Sequence, residues 1–274
     1  MRRSVKILLC IISAVSIIIC ALCCLYIYQY FRGGMLNDRI SQLAFSGADV
    51  PAAETPPQQT ENTPAPSAAE EPEEPEEPTM DIDIDFAALK DINDEIYAWI
   101  EIPGTNISYA VVQNEDDLYY NTHSIDKAYY TGGSIFSQSY NSKDFTDPVT
   151  VLYGHNLRSQ TMFSLLNNFA DVNFFESNRY IFIYTPEKVF QYEIFAACPH
   201  SSEHLLLCHD FSDAEEFDAY FAELQGNAVN ANFVDELFPD AGDRVIALST
   251  CYSQNRWQRF IVYGVLTEEY TVAK

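Results

Sequence analysis

Six short runs rich in Val, Ile, Tyr and Phe constrain this chain more than any other feature. They fall at residues 107–112, 149–153, 180–184, 189–196, 245–248 and 260–266. Branched and aromatic side chains suit a pleated, half-buried surface, and runs this short between turn residues read as strands. Helical patterns lie between them. Asp85 is placed to cap a helix whose apolar residues Phe86, Leu89, Ile92, Ile96 and Trp99 or Ile100 recur at helical spacing. A second helical insert is expected at residues 161–169. A third opens on the capping box Ser212-Asp213-Ala214-Glu215 and carries Phe217, Tyr220, Phe221 and Leu224 along one face. That aromatic stripe reads as core packing. The class expected is mostly β: a closed antiparallel barrel with an N-terminal helix and further helices in the connections.

The barrel does not account for the whole chain. Residues 47–80 carry eight of the 13 prolines, no aromatic residue, and the repeat EEPEEPEEP. Such a stretch cannot bury enough apolar surface to offset the entropy of ordering, so a disordered acidic linker is expected there. Residues 7–28, ILLCIISAVSIIICALCCLYIY, have two serines and no charge across 22 positions. At about 1.5 Å per residue that length matches a hydrocarbon core of roughly 30 Å. It exceeds a signal-peptide core and lacks a small-residue cleavage site. The reading is an uncleaved single-pass anchor, with Tyr26, Tyr28 and Tyr30 at the far interface. Arg2, Arg3 and Lys6 favour a cytoplasmic N-terminus at residues 1–6, with the remainder outside the cell. Cys10, Cys20, Cys23 and Cys24 would then lie in lipid. Residues 29–46 form a juxtamembrane segment, and residues 81–274 form the folded domain, for a localisation at the cell membrane.

The net charge is −25, and from residue 81 onward thirty acids face ten Lys and Arg. Nucleic-acid binding needs a basic surface that displaces counterions from phosphates, so this balance excludes it.

Chemistry concentrates late in the chain. Cys251 ends one apolar run, and Arg259 opens the next eight residues later. Acyl transfer needs a nucleophile, a proton shuttle and positive charge where the oxyanion forms. Cys251 and Arg259 suit the first and last roles. The shuttle candidates are His123, His155, His200, His204 and His209. His155 follows a strand and Gly154 and precedes Asn156, a placement that holds a side chain open on a rigid support. Taken singly, Cys251 reads equally as an inert buried thiol, and His155 as an ordinary surface imidazole. The stretch CPHSSEHLLLCHD gathers Cys198, His200, His204, Cys208 and His209. It leaves three readings open: no cofactor and no bond, a Cys198–Cys208 disulfide, or a zinc site with His200, His204 and Cys208 on one helix face.

In combination, VLYGHN with MF shortly after, LSTC, and RFIVYG resemble the signatures of class B sortases, membrane-anchored cysteine transpeptidases of Gram-positive bacteria. The likeness extends through EIYAWIEIPGTNISYAVVQ, GGSIF and the helix around residues 215–224, covering residues 85–266. The resemblance implies a sortase-like barrel without a cofactor, with His155, Cys251 and Arg259 catalytic. Arg256 is the neighbouring alternative, because the spacing from cysteine to arginine is shorter than the class pattern. Ser249, Thr250, Tyr252 and Asn156 are implied substrate contacts, with the Tyr252 N–H as an oxyanion donor. The implied partners are secreted proteins bearing a C-terminal sorting signal and a cell-wall amine that accepts them. A pilin polymerase using a protein lysine, a cell-wall cysteine hydrolase and a non-catalytic receptor are the rival readings.

Overall fold

The computed structural model describes residues 2–45, 78–227, 231–255 and 257–273. Nearly all of the expected linker lies outside those residues, as do Arg256 and the side chains of Cys10, Tyr26 and Tyr30. The chain forms α1 (Arg2–Ala44), β1 (Thr79–Met80), α2 (Phe86–Ile92), β2 (Ile96–Glu101), β3 (Ser108–Val112), β4 (Ile135–Phe136) and β5 (Val149–Tyr153). There follow α3 (Val172–Ser177), β6 (Tyr180–Tyr184), β7 (Lys188–His200), α4 (Leu205–Cys208), α5 (Ala214–Asn227), β8 (Asn232–Phe233), β9 (Val245–Cys251) and β10 (Arg259–Val272).

Eight strands pair in the order β10-β9-β5-β4-β3-β2-β6-β7, and β7 pairs back onto β10 to close the barrel, with β1 and β8 attached outside the ring. The barrel is antiparallel except at the β3–β4 and β5–β9 ladders. Alternation along the strands separates a core inside the barrel from two outside it. Ile246, Leu248, Phe260 and Val262 point into the barrel. Val245, Ala247, Ile261 and Tyr263 point outward, beneath Phe217, Tyr220 and Phe221 of α5. The aromatic stripe is core packing, as expected. The cap of α5 is Asp213, whose Oδ1 accepts from the Glu215 and Glu216 amides, while the Ser212 hydroxyl turns back to Asp210.

Two helical expectations shorten. Asp85 caps α2 through the Ala88 amide, but the helix ends at Ile92. Buried Asn93 stops it, giving its Nδ2 to the Tyr120 hydroxyl and the Ile125 carbonyl and accepting from the Glu95 amide. The following IYAWIE is then a strand laddered on both sides, by β3 and β6. A strand covered on both faces carries a continuous apolar run, which imitated helical spacing. Near residue 161, Gln160 and Met162 adopt φ of 59° and 56°, so the insert begins as a turn. It continues as a 3-10 helix, Ser164–Ala170, before α3.

The N-terminal expectation is corrected. Among the described residues no helix is long and apolar enough to cross a membrane, which overturns the single-pass anchor, the membrane contact and the cell-membrane localisation. The apolar run is part of one continuous 43-residue helix that extends well beyond it through Arg32, Asn37, Asp38 and Arg39. Its last turns dock on the barrel. Ile40 and Ala44 are buried, Phe45 meets Trp99 edge-on at 5.6 Å, and Arg32 pairs with Asp126 at 2.5 Å.

One carboxylate ties the end of β10 to its neighbours. Burial alone would raise the Glu269 carboxyl, but hydrogen bonds from Lys188 and Arg244 outweigh it and hold the group below the ordinary glutamate value. A lowered folded-state pKa contributes stability above the unfolded pKa and loses it as pH falls through the folded one. Glu269→Gln is expected to cost about 1–2 kcal/mol at pH 7 by denaturant unfolding. The difference from wild type should shrink below about pH 4.3, the ordinary glutamate value.

Candidate active site

The β9–β10 ladder runs in unbroken register from Val245↔Val265 to Cys251↔Arg259. Residues directly opposite on one antiparallel face bring their side chains together, and here Arg259 Nη1 donates to Cys251 Sγ at 3.2 Å. On the other side of β9, β5 runs parallel with Tyr153 beside Ser249, and the Gly154 amide donates to the Ser249 carbonyl at 3.1 Å. His155 and Cys251 each lie two residues past that last pair, at the same end of the barrel. Gly154 brings the chain so close to the core that a Cβ there would sit 2.5 Å from Ile135 and 2.8 Å from Phe163. The structure thus gathers the three expected residues at one barrel edge, all partly exposed.

His155 is held from behind. Its Nε2 lies 2.8 Å from the Asn121 carbonyl. A carbonyl only accepts, so Nε2 carries the proton. Nδ1 has no hydrogen bond among the described residues. Arg259 forms no ion pair with a carboxylate among the described residues, so its charge is not neutralised by a direct contact. Its other cross-strand neighbour is His200. Burial lowers the pKa of His200, which favours a neutral neighbour for the guanidinium.

A cavity of about 80 Å³ opens on the outer face beside Arg259, lined by Tyr153, Ser249, His204 and Leu205 among others. Burial pushes the Tyr153 phenol up to about 12, against the opposing pull of Arg259, so it faces the cavity as a neutral hydroxyl. Of the four expected substrate contacts, Ser249 alone lines this cavity. Thr250 and Tyr252 alternate into the barrel, Thr250 at 1 % exposure and Tyr252 with its ring stacked on Phe260. The Tyr252 N–H donates to the Gln258 carbonyl at 3.1 Å, so the expected oxyanion donor is already engaged. The Asn156 amide is likewise committed to the protein, donating to the Cys251 carbonyl at 3.0 Å and the Ser253 hydroxyl at 2.8 Å.

Asn167 was not foreseen. Its Nδ2 also donates to the Cys251 carbonyl, at 3.1 Å, and its Oδ1 accepts from the Ser253 amide at 2.8 Å. No motif marks it, because the contact is to main chain 84 residues away. The remaining histidines have other partners. His123 stacks on Tyr119, His204 caps α4 and reaches Gln138 at 2.6 Å, and His209 faces Glu216.

The Cys198–Cys208 alternative fails. Both are free thiols; Cys198 is buried, which pushes its pKa up to about 12, and Cys208 is exposed on α4. The helix face proposed for zinc does not form, because His200 lies on β7 and His204 precedes the four-residue α4. Among the described residues no three His, Cys, Asp or Glu side chains come together to hold a metal.

Comparison with known proteins agrees with this geometry. A sortase domain model matches residues 100–267. Sortase B of Clostridium perfringens superposes with a TM-score of 0.61 at 32 % identity, over 66 % of this chain and 99 % of that one. The Staphylococcus aureus sortase B–substrate complex gives 0.59 at 26 %, over 67 % and 84 %. Sortase B of Listeria monocytogenes is 26 % identical over 180 residues, 65 % of this chain and 72 % of that protein. The chain belongs to the sortase family. Within it this is a class B, sortase-type cysteine transpeptidase on a closed eight-stranded barrel.

The seat of His155 is open to test. Gly133 has φ of 59°, and a Cβ there would lie 2.6 Å from the Tyr120 carbonyl oxygen and 2.9 Å from that of Asn121. Gly133→Ala is expected to displace the Asn121 carbonyl and cost about 1–3 kcal/mol of stability. In the folded variant the His155 imidazole ¹⁵N resonances should move as Nε2 loses its acceptor, while those of His209 stay in place.

Proposed function

We propose that Cys251 is the nucleophile, His155 the proton shuttle and Arg259 the cation that favours the thiolate and then the oxyanion, within a catalytic unit at residues 81–274. The observation that carries this reading is the 3.2 Å contact from Arg259 to Cys251 Sγ across the strand pair. A guanidinium at that distance favours the thiolate, which is the attacking form.

The Cys251 thiol gives its proton to His155 Nδ1, and the thiolate attacks a backbone carbonyl in a short sorting signal near the C-terminus of a substrate protein, forming the S–C bond and a tetrahedral oxyanion. With the Tyr252 N–H on Gln258 and the Ser253 N–H on Asn167, both main-chain donors that follow the nucleophile are engaged. Arg259 is therefore the donor to the oxyanion. Collapse breaks the C–N bond, and the leaving amine takes its proton from His155, giving a thioester on Cys251. An amine of a cell-wall peptide then attacks, returns a proton to His155 and releases the thiolate. The cavity floored by Ser249 and walled by Tyr153 receives part of the signal.

Incubating the protein with a library of sorting-like peptides should give an acyl adduct on Cys251 by mass spectrometry. Cys251→Ala should give none. His155→Ala should slow adduct formation by about 10²-fold or more. An adduct that persists in Cys251→Ala would refute the assignment.

A further inference from the structure

We infer that Asn167, together with Asn156, is a positioning residue that clamps the main chain of the nucleophile against Arg259 and His155. The inference rests on the reading of Cys251 as the nucleophile and concerns residues that never touch the sulfur.

β9 ends at Cys251, where ladder pairing with β5 has already stopped at Ser249. A carbonyl left without a ladder partner would be free to rotate and would swing the side chain with it. Two amides prevent this. Asn156 Nδ2 reaches the Cys251 carbonyl at 3.0 Å, and Asn167 Nδ2 reaches the same oxygen at 3.1 Å. Both also grip Ser253, Asn167 through the main-chain amide at 2.8 Å and Asn156 through the hydroxyl at 2.8 Å. The residue between, Tyr252, is fixed by its amide on Gln258 and by its ring on Phe260.

The two clamps come from different places. Asn156 follows His155 directly, so its amide ties the chain bearing the imidazole to the chain bearing the thiol. Asn167 lies in the 3-10 helix Ser164–Ala170, which is anchored by buried Leu166 and Phe169. It references the nucleophile to a packed element independent of the histidine loop. A carboxamide suits this position because it donates to a carbonyl and accepts from an amide at once. Aspartate keeps the second contact and loses the first, placing two acceptors against each other.

The test uses the full chain and the rate of Cys251 alkylation by iodoacetamide against pH, read by peptide mass spectrometry with Cys208 as internal reference. The thiolate alone reacts, so the profile reports whether the sulfur stays beside Arg259. In wild type Cys251 should react faster than Cys208 at pH 7. Asn167→Ala and Asn167→Asp should slow Cys251 about tenfold at pH 7, leaving Cys208 unchanged. Asn168→Ala, one residue along and exposed, should match wild type. A Cys251 rate within twofold of wild type in either folded Asn167 variant overturns the inference alone. If both variants unfold, Asn156→Ala carries the same expectation and the same refutation. Wild-type Cys251 no more reactive than Cys208 overturns both this inference and the nucleophile assignment.

Discussion

The arrangement depends on one ladder. β9 and β10 pair without a bulge over all seven residues of β9, so the barrel's own backbone register sets Cys251 opposite Arg259. Neither side chain needs a flexible loop to find the other. β10 is held on its far side by β7 along almost its whole length, and β9 by the parallel β5. The strand that delivers His155 is thus the strand that buttresses the cysteine. A one-residue slip of the register would send Cys251 into the barrel and Thr250 out, separating thiol from guanidinium.

Charge gives that pairing its meaning. The protein carries −25 overall, and a thiolate in such a field is disfavoured unless a cation stands next to it. Elsewhere five of the bases are bound to carboxylates: Arg32 to Asp126, Lys127 to Asp94 and Glu95, Arg179 to Glu193, and Lys188 and Arg244 to Glu269. Arg259 instead faces sulfur, with a neutral imidazole on its other flank. The His155 imidazole is oriented by a main-chain carbonyl and not by an acidic side chain.

Much of this was legible in the residues. All six apolar runs between turn residues marked strands outright, and LSTC with RFIVYG located the strand pair and its two polar ends. β2 was misread because burial on both faces erased the period-two alternation that separates strand from helix. Thr250 and Tyr252 were read as groove residues by resemblance, yet strand parity sends both inward. Asn167 and the Asn121 carbonyl carried no sequence signal, because a main-chain contact imposes no recognisable pattern on the residues that make it. The N-terminal apolar run was read as a span from its length, its lack of charge and its flanking residues. The structure shows it as part of a longer helix whose end packs on the barrel, with Ile40 and Ala44 buried in the core.

The central claim is that the cross-strand guanidinium, and not a main-chain amide, stabilises the charge formed on reaction. The most direct measurement is the single-turnover rate of thioester formation in Arg259→Gln, using a peptide that acylates the wild-type protein. The account expects a loss of about 10²-fold or more at saturating peptide, with peptide affinity changed by less than about threefold. A saturating rate within a few-fold of wild type in the folded variant would contradict it.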